Sequence, residues 1–132
     1  MTGMVMFEKA MEMLGYSSAD GISGKADLLK KGLTVINNIY AELYYAWKDA
    51  NVKPFVPLKS INEEIKLPPL VIDTIMPYGV AMYQAQSEGD ADNQNLYSMI
   101  YNQKKTKVKS ISAKHKLPYI WEWYINEIPL FK

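Results

Sequence analysis

The chain has 132 residues, 48% of them hydrophobic, a formal net charge of +1 and no cysteine. At that length a single domain with a real core is expected; disulfides and thiolate metal sites are excluded, and the near-neutral charge supplies no global field toward nucleic acid or a membrane. All fifteen basic residues are lysine, whereas phosphates and guanine edges are usually read by arginine's planar fork, so sequence-specific DNA recognition is not expected.

The N-terminal stretch "MTGMVMFEKAMEML" has no basic region followed by an apolar run and a cleavage site, so no signal peptide is expected. No apolar run approaches the roughly 20 residues of a membrane-spanning helix. Met4, Phe7, Met11 and Leu14 recur at helical spacing and predict a first helix over residues 2–14, with Gly15 as its C′ residue. "YSSADGISG" then reads as a loop, with Asp20-Gly21 as the turn signal.

The second helix carries the strongest pattern. Leu29, Leu33, Ile36, Tyr40, Leu43 and Trp47 step by threes and fours along one stripe, widened by Leu28, Val35, Ile39 and Ala46. The predicted span is residues 25–49, about 37 Å long. Pro54 and Pro57 break helicity in "ANVKPFVPLK". Ser60 and Glu63 stand at capping-box spacing and predict a short helical turn.

Pro68-Pro69 opens the next helix, expected to run to Glu88. It is apolar around much of its girth, with Val71, Ile75, Tyr78, Met82 and Ala85 on one stripe and Ile72, Met76, Gly79 and Tyr83 on a second. That pattern makes it the central helix. Pro77 lies inside it, cannot donate to the carbonyl of Asp73, and predicts a kink there. Gly79, Ala81 and Ala85 leave room for a neighbouring helix to approach closely. "GDADN" is a joint with Asp90 or Asp92 as N-cap. The last helix is expected to bury Leu96, Met99, Ile100 and Tyr101 and to end in "KKTKVK", whose cations suit the negative end of a helix dipole.

After Lys109 the helical period stops in the sequence. In "LPYIWEWYINEIPLF", Tyr119, Trp121, Trp123 and Ile125 alternate with Ile120, Glu122, Tyr124 and Asn126, an extended, aromatic pattern bracketed by Pro118 and Pro129. The expected architecture is therefore all-α: a small bundle of about four helices over residues 1–109, followed by a short extended C-terminal arm over 110–132. The predicted core is Phe7, Leu33, Ile36, Tyr40, Leu43, Trp47, Val71, Ile75, Met82, Leu96 and Ile100.

Catalytic chemistry is sparse. His115 is the one histidine and stands among lysines in "SAKHK", the usual setting of a solvated surface residue. No second histidine and no cysteine can complete a metal set with it. Dinucleotide, phosphate-loop and nucleophile-elbow motifs are absent from the sequence. The acidic groups to weigh as a carboxylate pair are Glu63, Glu64, Asp73, Glu88, Asp90 and Asp92. Adjacent glutamates on a helix point apart, and Asp90 and Asp92 have a capping role to fill. No enzyme activity and no cofactor are expected. Asn37 and Asn38, poor helix formers beside the second helix's stripe, are either solvated or hydrogen-bonded between helices, or they set a contact with a neighbouring chain. Lys104, Lys105, Lys107 and Lys109, continued by Lys114 and Lys116, form a cluster that either faces solvent or approaches DNA phosphates.

Several segments, in order, resemble the head–tail connector (head completion, or adaptor) proteins of tailed bacteriophages. They are the first helix with "LGYSSAD", the leucine-rich "LLKKGLTVINNIYAELYYAW", and above all "EIKLPP", "MPYGVAM", the A-x-x-E-G-D of residues 85–90 and "LYSMIYNQKK". The resemblance extends to about Lys109. It departs from the family in carrying lysines where arginines are frequent, and in the C-terminal arm. What it implies is a structural α-helical subunit of a phage or prophage. Such a subunit would sit at the virion's head–tail junction after assembly in the bacterial cytoplasm. It would dock below the portal ring beside neighbouring copies of itself and extend the DNA channel, with no enzymatic activity, cofactor or membrane partner. The aromatic row Tyr119, Trp121, Trp123 and Ile125 is too apolar to leave in water, so it either folds back on the chain's own helical body, pairs with another copy or docks on a partner; in this setting it is the expected partner-binding element, and Lys104, Lys105, Lys107 and Lys109 are the candidate DNA-facing groups. The competing reading is a small helical nucleic-acid-binding module that uses the Lys104–Lys116 cluster.

Overall fold

The computed structural model describes residues 1–16, 25–48 and 54–111. The fold is all-α. Among the described residues the helices are α1 (Gly3–Met13), α2 (Ala26–Trp47), α3 (Pro69–Thr74), α4 (Met76–Ser87) and α5 (Ala91–Lys105). Helix α4 is central and packs against each of the other four.

The start of α1 shows where a helix's orphan donors go. Thr2 is the N-cap and its Oγ1 accepts from the Val5 N–H. The N–H groups of Gly3 and Met4 have no partner within the helix. They donate instead to the carbonyls of Glu63 and Ile61, at 3.1 and 2.6 Å. The Ile65 N–H donates to Met1, and a single antiparallel bridge joins Thr2 to Glu64. Only glycine fits at position 3, since a Cβ there would lie 2.8 Å from the Ile61 carbonyl oxygen. The segment before α3 is thereby tied to α1, and it places Leu58, Ile61, Ile65 and Leu67 in the core.

Two helices end the same way. Gly15 and Gly89 have φ of +97° and +73°, and each occupies the C′ position. Tyr16 donates to Met11 and Gly15 to Glu12; Asp90 donates to Ala85 and Gly89 to Gln86. Both are Schellman closures. The Tyr16 hydroxyl donates to a Glu88 carboxylate oxygen at 2.9 Å, so the two closures touch. The prediction that Gly15 stops α1 holds.

The predicted helix over 69–88 is two helices, not one kinked helix. It breaks at Ile75, whose φ of −118° departs from helical geometry. Pro77 stands in the first turn of α4, where its missing N–H costs nothing. The carbonyl of Asp73 that Pro77 cannot serve accepts instead from Lys9 Nζ on α1 at 3.4 Å. The Ser60–Glu63 signal yields a turn rather than a helix, with Glu63 Oε1 accepting from the N–H groups of both Lys59 and Ser60.

Of the predicted core, Phe7, Ile36, Tyr40, Leu43, Val71 and Ile75 are buried. Leu33, Trp47 and Met82 are half-buried against that core, while Ile100 is half-buried without packing on it. Leu96 is a correction. It is 49% exposed, and Met99, expected beside it, is 71% exposed. Helix α5 turns Tyr97, Tyr101 and the cations Lys104 and Lys105 inward instead. The helical course also resumes after Thr106: residues 108–111 are helical, Val108 is buried and Ile111 packs on the core.

Candidate interaction surface

Two places on the molecule carry more chemistry than packing requires. One is a polar cluster between α2, α4 and α5. Gly79 leaves a space that Tyr101 of α5 and Ile39 of α2 fill; a Cβ at position 79 would lie 2.7 Å from the Tyr101 ring and 2.9 Å from Ile39. Beside that seam, Lys105 Nζ forms an ion pair with Glu42 Oε1 at 2.8 Å, and the Tyr83 hydroxyl donates to Glu42 Oε2 at 3.4 Å. Burial, followed by the negative charge of Glu42, pushes the Tyr83 hydroxyl above its usual range. The same two causes raise Tyr101 much further. The Tyr101 hydroxyl is buried without a hydrogen-bond partner among the described residues. This cluster locks three helices together.

The other place is the C-terminal end of α2. The Asn37 side chain clamps the backbone of Leu58 from both sides: Nδ2 donates to its carbonyl at 3.0 Å and Oδ1 accepts from its N–H at 2.8 Å. The Tyr40 hydroxyl accepts from the Lys66 N–H at 3.0 Å. These bonds hold the extended, proline-bearing segment 54–58 along α2. Asn37 thus uses its amide within the chain, while Asn38 faces solvent.

The rings there stack edge to face. Tyr40 and Phe55 lie 4.9 Å apart at 85°, and Tyr44 and Trp47 lie 6.3 Å apart at 82°. Tyr45 is 49% exposed and Val56 65% exposed. Between the helix and the segment lies a cleft of about 380 Å³, walled by Tyr40, Tyr44, Trp47, Pro54, Val56 and Pro57, with the carboxylates Glu63 and Glu64 also in its lining. Lys48 and Lys66 stand on its edge, with Lys48 Nζ 4.8 Å from the centre of the Trp47 ring.

The lysine cluster divides. Lys105 is committed to Glu42, and Lys104 Nζ sits 5.1 Å from the Tyr78 ring centre. Lys107 and Lys109 are exposed. Lys114, His115, Lys116 and the aromatic row Tyr119, Trp121, Trp123 and Ile125 lie outside the described residues. Glu63 and Glu64 both face solvent, Glu63 accepting backbone N–H groups and Glu64 pairing with the Met1 amino group at 2.9 Å. Among the described residues no group of three or more His, Asp or Glu side chains is placed to hold a metal ion, and no helix is long and apolar enough to cross a membrane. The α2 cleft was not foreseen from sequence. Its signal was the pairing of aromatic residues at α2's end with two prolines a few residues on, which reads locally as a plain helix stop.

No family model, curated protein or solved structure matches this chain.

Proposed function

We propose that this chain is a structural head–tail connector subunit of a tailed phage or prophage, which docks below the portal ring beside copies of itself and extends the DNA channel. The observation that supports this reading most is where the resembling segments fall in the fold. The second proline of "EIKLPP" opens α3, and the proline of "MPYGVAM" opens α4. The glycine of "MPYGVAM" receives Tyr101 from "LYSMIYNQKK". The glycine of A-x-x-E-G-D closes α4, and its aspartate caps α5 through a bond to the Asn93 N–H at 3.2 Å. The shared residues are thus the joints of the helical body, the positions a common fold would retain. A rigid body of this kind, with an aromatic cleft on its surface, suits a subunit that works by contact.

The nucleic-acid reading draws less support, because two of its four central lysines are engaged within the chain. Co-expression of the full chain with the portal protein encoded in the same genome tests the proposal. A stable complex is expected on size exclusion, with an added ring of density below the portal in electron micrographs. Failure to co-migrate, together with DNA binding that weakens steeply between low and moderate salt, would overturn it in favour of the nucleic-acid module.

A further inference from the structure

We propose that the outer face of α5 pairs, antiparallel and about a two-fold axis, with the same face of a second copy of this chain. The pairing goes beyond the connector reading. Ring neighbours meet through two different faces, whereas a two-fold pair joins one face to itself, so this is a contact of the free subunit.

The face is apolar where a solvated helix would be charged. At about 100° per residue, Asp92, Leu96, Met99, Ile100, Gln103 and Lys107 fall within one stripe, roughly opposite the buried Tyr101. Leu96 and Met99 are exposed, and Ile100 does not pack on the core. No exposed residue between Asp92 and Lys107 carries a charge. The two lysines in that span are half-buried, with Lys104 over the Tyr78 ring and Lys105 paired with Glu42. The outward face of a surface helix ordinarily carries charge. An apolar centre cleared of charge, with methionine in it and charges only at its ends, is the composition of a protein interface.

The order of residues along the stripe selects the occupant. Asp92 opens it and Lys107 closes it, and both are exposed. The ion pairs among the described residues, Met1 with Glu64 and Lys105 with Glu42, use neither. The point midway between positions 92 and 107 falls between Met99 and Ile100. A second α5 turned end for end about that point sets Asp92 against Lys107 at both ends. The same operation sets Met99 against Ile100, and Leu96 against the aliphatic stem of Gln103. The stripe is thus complementary to itself in charge and in apolar content. One helix face buries less than the roughly 1,200 Å² of a stable interface, so the pair is weak and transient.

The test is sedimentation equilibrium of the full chain at rising concentration, with two variants at exposed positions. Asp92→Lys leaves only cations at the ends of the stripe, and Lys107→Glu leaves only anions. Each variant alone should self-associate about tenfold more weakly than the unaltered chain. An equal mixture of the two should recover association as a mixed pair, because each then supplies the charge that the other lacks. Unchanged melting temperatures show that both variants fold. A chain that stays monomeric at every concentration, including one whose own residues 112–132 cover the stripe, overturns the proposal. So does association that neither variant weakens. Two weakened variants that fail to pair when mixed overturn it as well. Portal binding is scored separately, so loss of pairing with portal binding intact sinks this assignment and leaves the connector reading standing.

Discussion

Tyr101 and Tyr45 are both tyrosines in the C-terminal halves of helices, yet one is 1% exposed and the other 49%. What faces them differs. Tyr101 meets Gly79, a position with no side chain, and its ring closes the seam between α4 and α5. Tyr45 stands at the end of α2, where the facing segment is extended and carries Pro54 and Pro57. That segment has no second helical stripe to cover the rings, so an open cleft remains. The contrast teaches that aromatic residues in this fold follow the space offered to them. Where a glycine offers space, a tyrosine becomes core despite its hydroxyl; against the proline-bearing segment Tyr40 and Tyr44 are also buried, and Tyr45, turned away from them on α2, is the ring left half exposed.

The largest effect expected is inside the closed region. Leu43 is fully buried, and Leu43→Ala should cost about 2–5 kcal/mol in denaturant unfolding; a loss under about half a kcal/mol would break the proposed core. Next is the seam itself. Gly79→Ala forces a Cβ against the Tyr101 ring and should cost about 1–3 kcal/mol. Asn37→Ala removes both bonds to the Leu58 backbone and leaves that backbone's polar groups to find water. It should cost about 1–2 kcal/mol, and faster hydrogen exchange at Leu58 would show that the damage lies at the cleft.

A pH titration sharpens the same comparison. Tyr101 holds its proton more tightly when folded, because burial and Glu42 raise it above the ordinary value of 10.0. A group raised in the folded state binds more protons there than in the unfolded chain, so its contribution is intact below about pH 10 and is lost as pH climbs past that point. Stability should therefore fall in the alkaline range, and less steeply in Tyr101→Phe; equal slopes would deny the hydroxyl this role. The smallest effect belongs to the open region. Val56→Ser should change stability by no more than about 0.5 kcal/mol in denaturant unfolding, since the side chain is 65% exposed.

Much of the helical body was legible in the sequence. The stepping of Ile36, Tyr40 and Leu43 defines α2, and Gly15 marks the end of α1, because helical periodicity and a left-handed C′ residue are local properties. The centrality of α4 could be read from its apolar girth. The division at Ile75 was only half legible: Pro77 announces a disturbance, but whether the chain kinks or restarts is not settled by the local residues. The inward face of α5 was misread for a related reason. Leu96 and Met99 are more apolar than Tyr97 and Tyr101, and hydrophobicity alone ranks them as core; the tyrosines win because Gly79 makes a ring-sized space and because the Tyr97 hydroxyl donates to the Met13 carbonyl at 2.8 Å. The α2 cleft was not legible at all, since it depends on Asn37 gripping a segment twenty-one residues away. The sequence by itself determined which stretches are mainly helical and, at Gly15, where one of them stops, because backbone propensity and apolar spacing act over a few residues. Which side of each helix is buried, and which rings stay exposed, was decided by the tertiary structure, because those outcomes depend on the shape of the surface that another element presents.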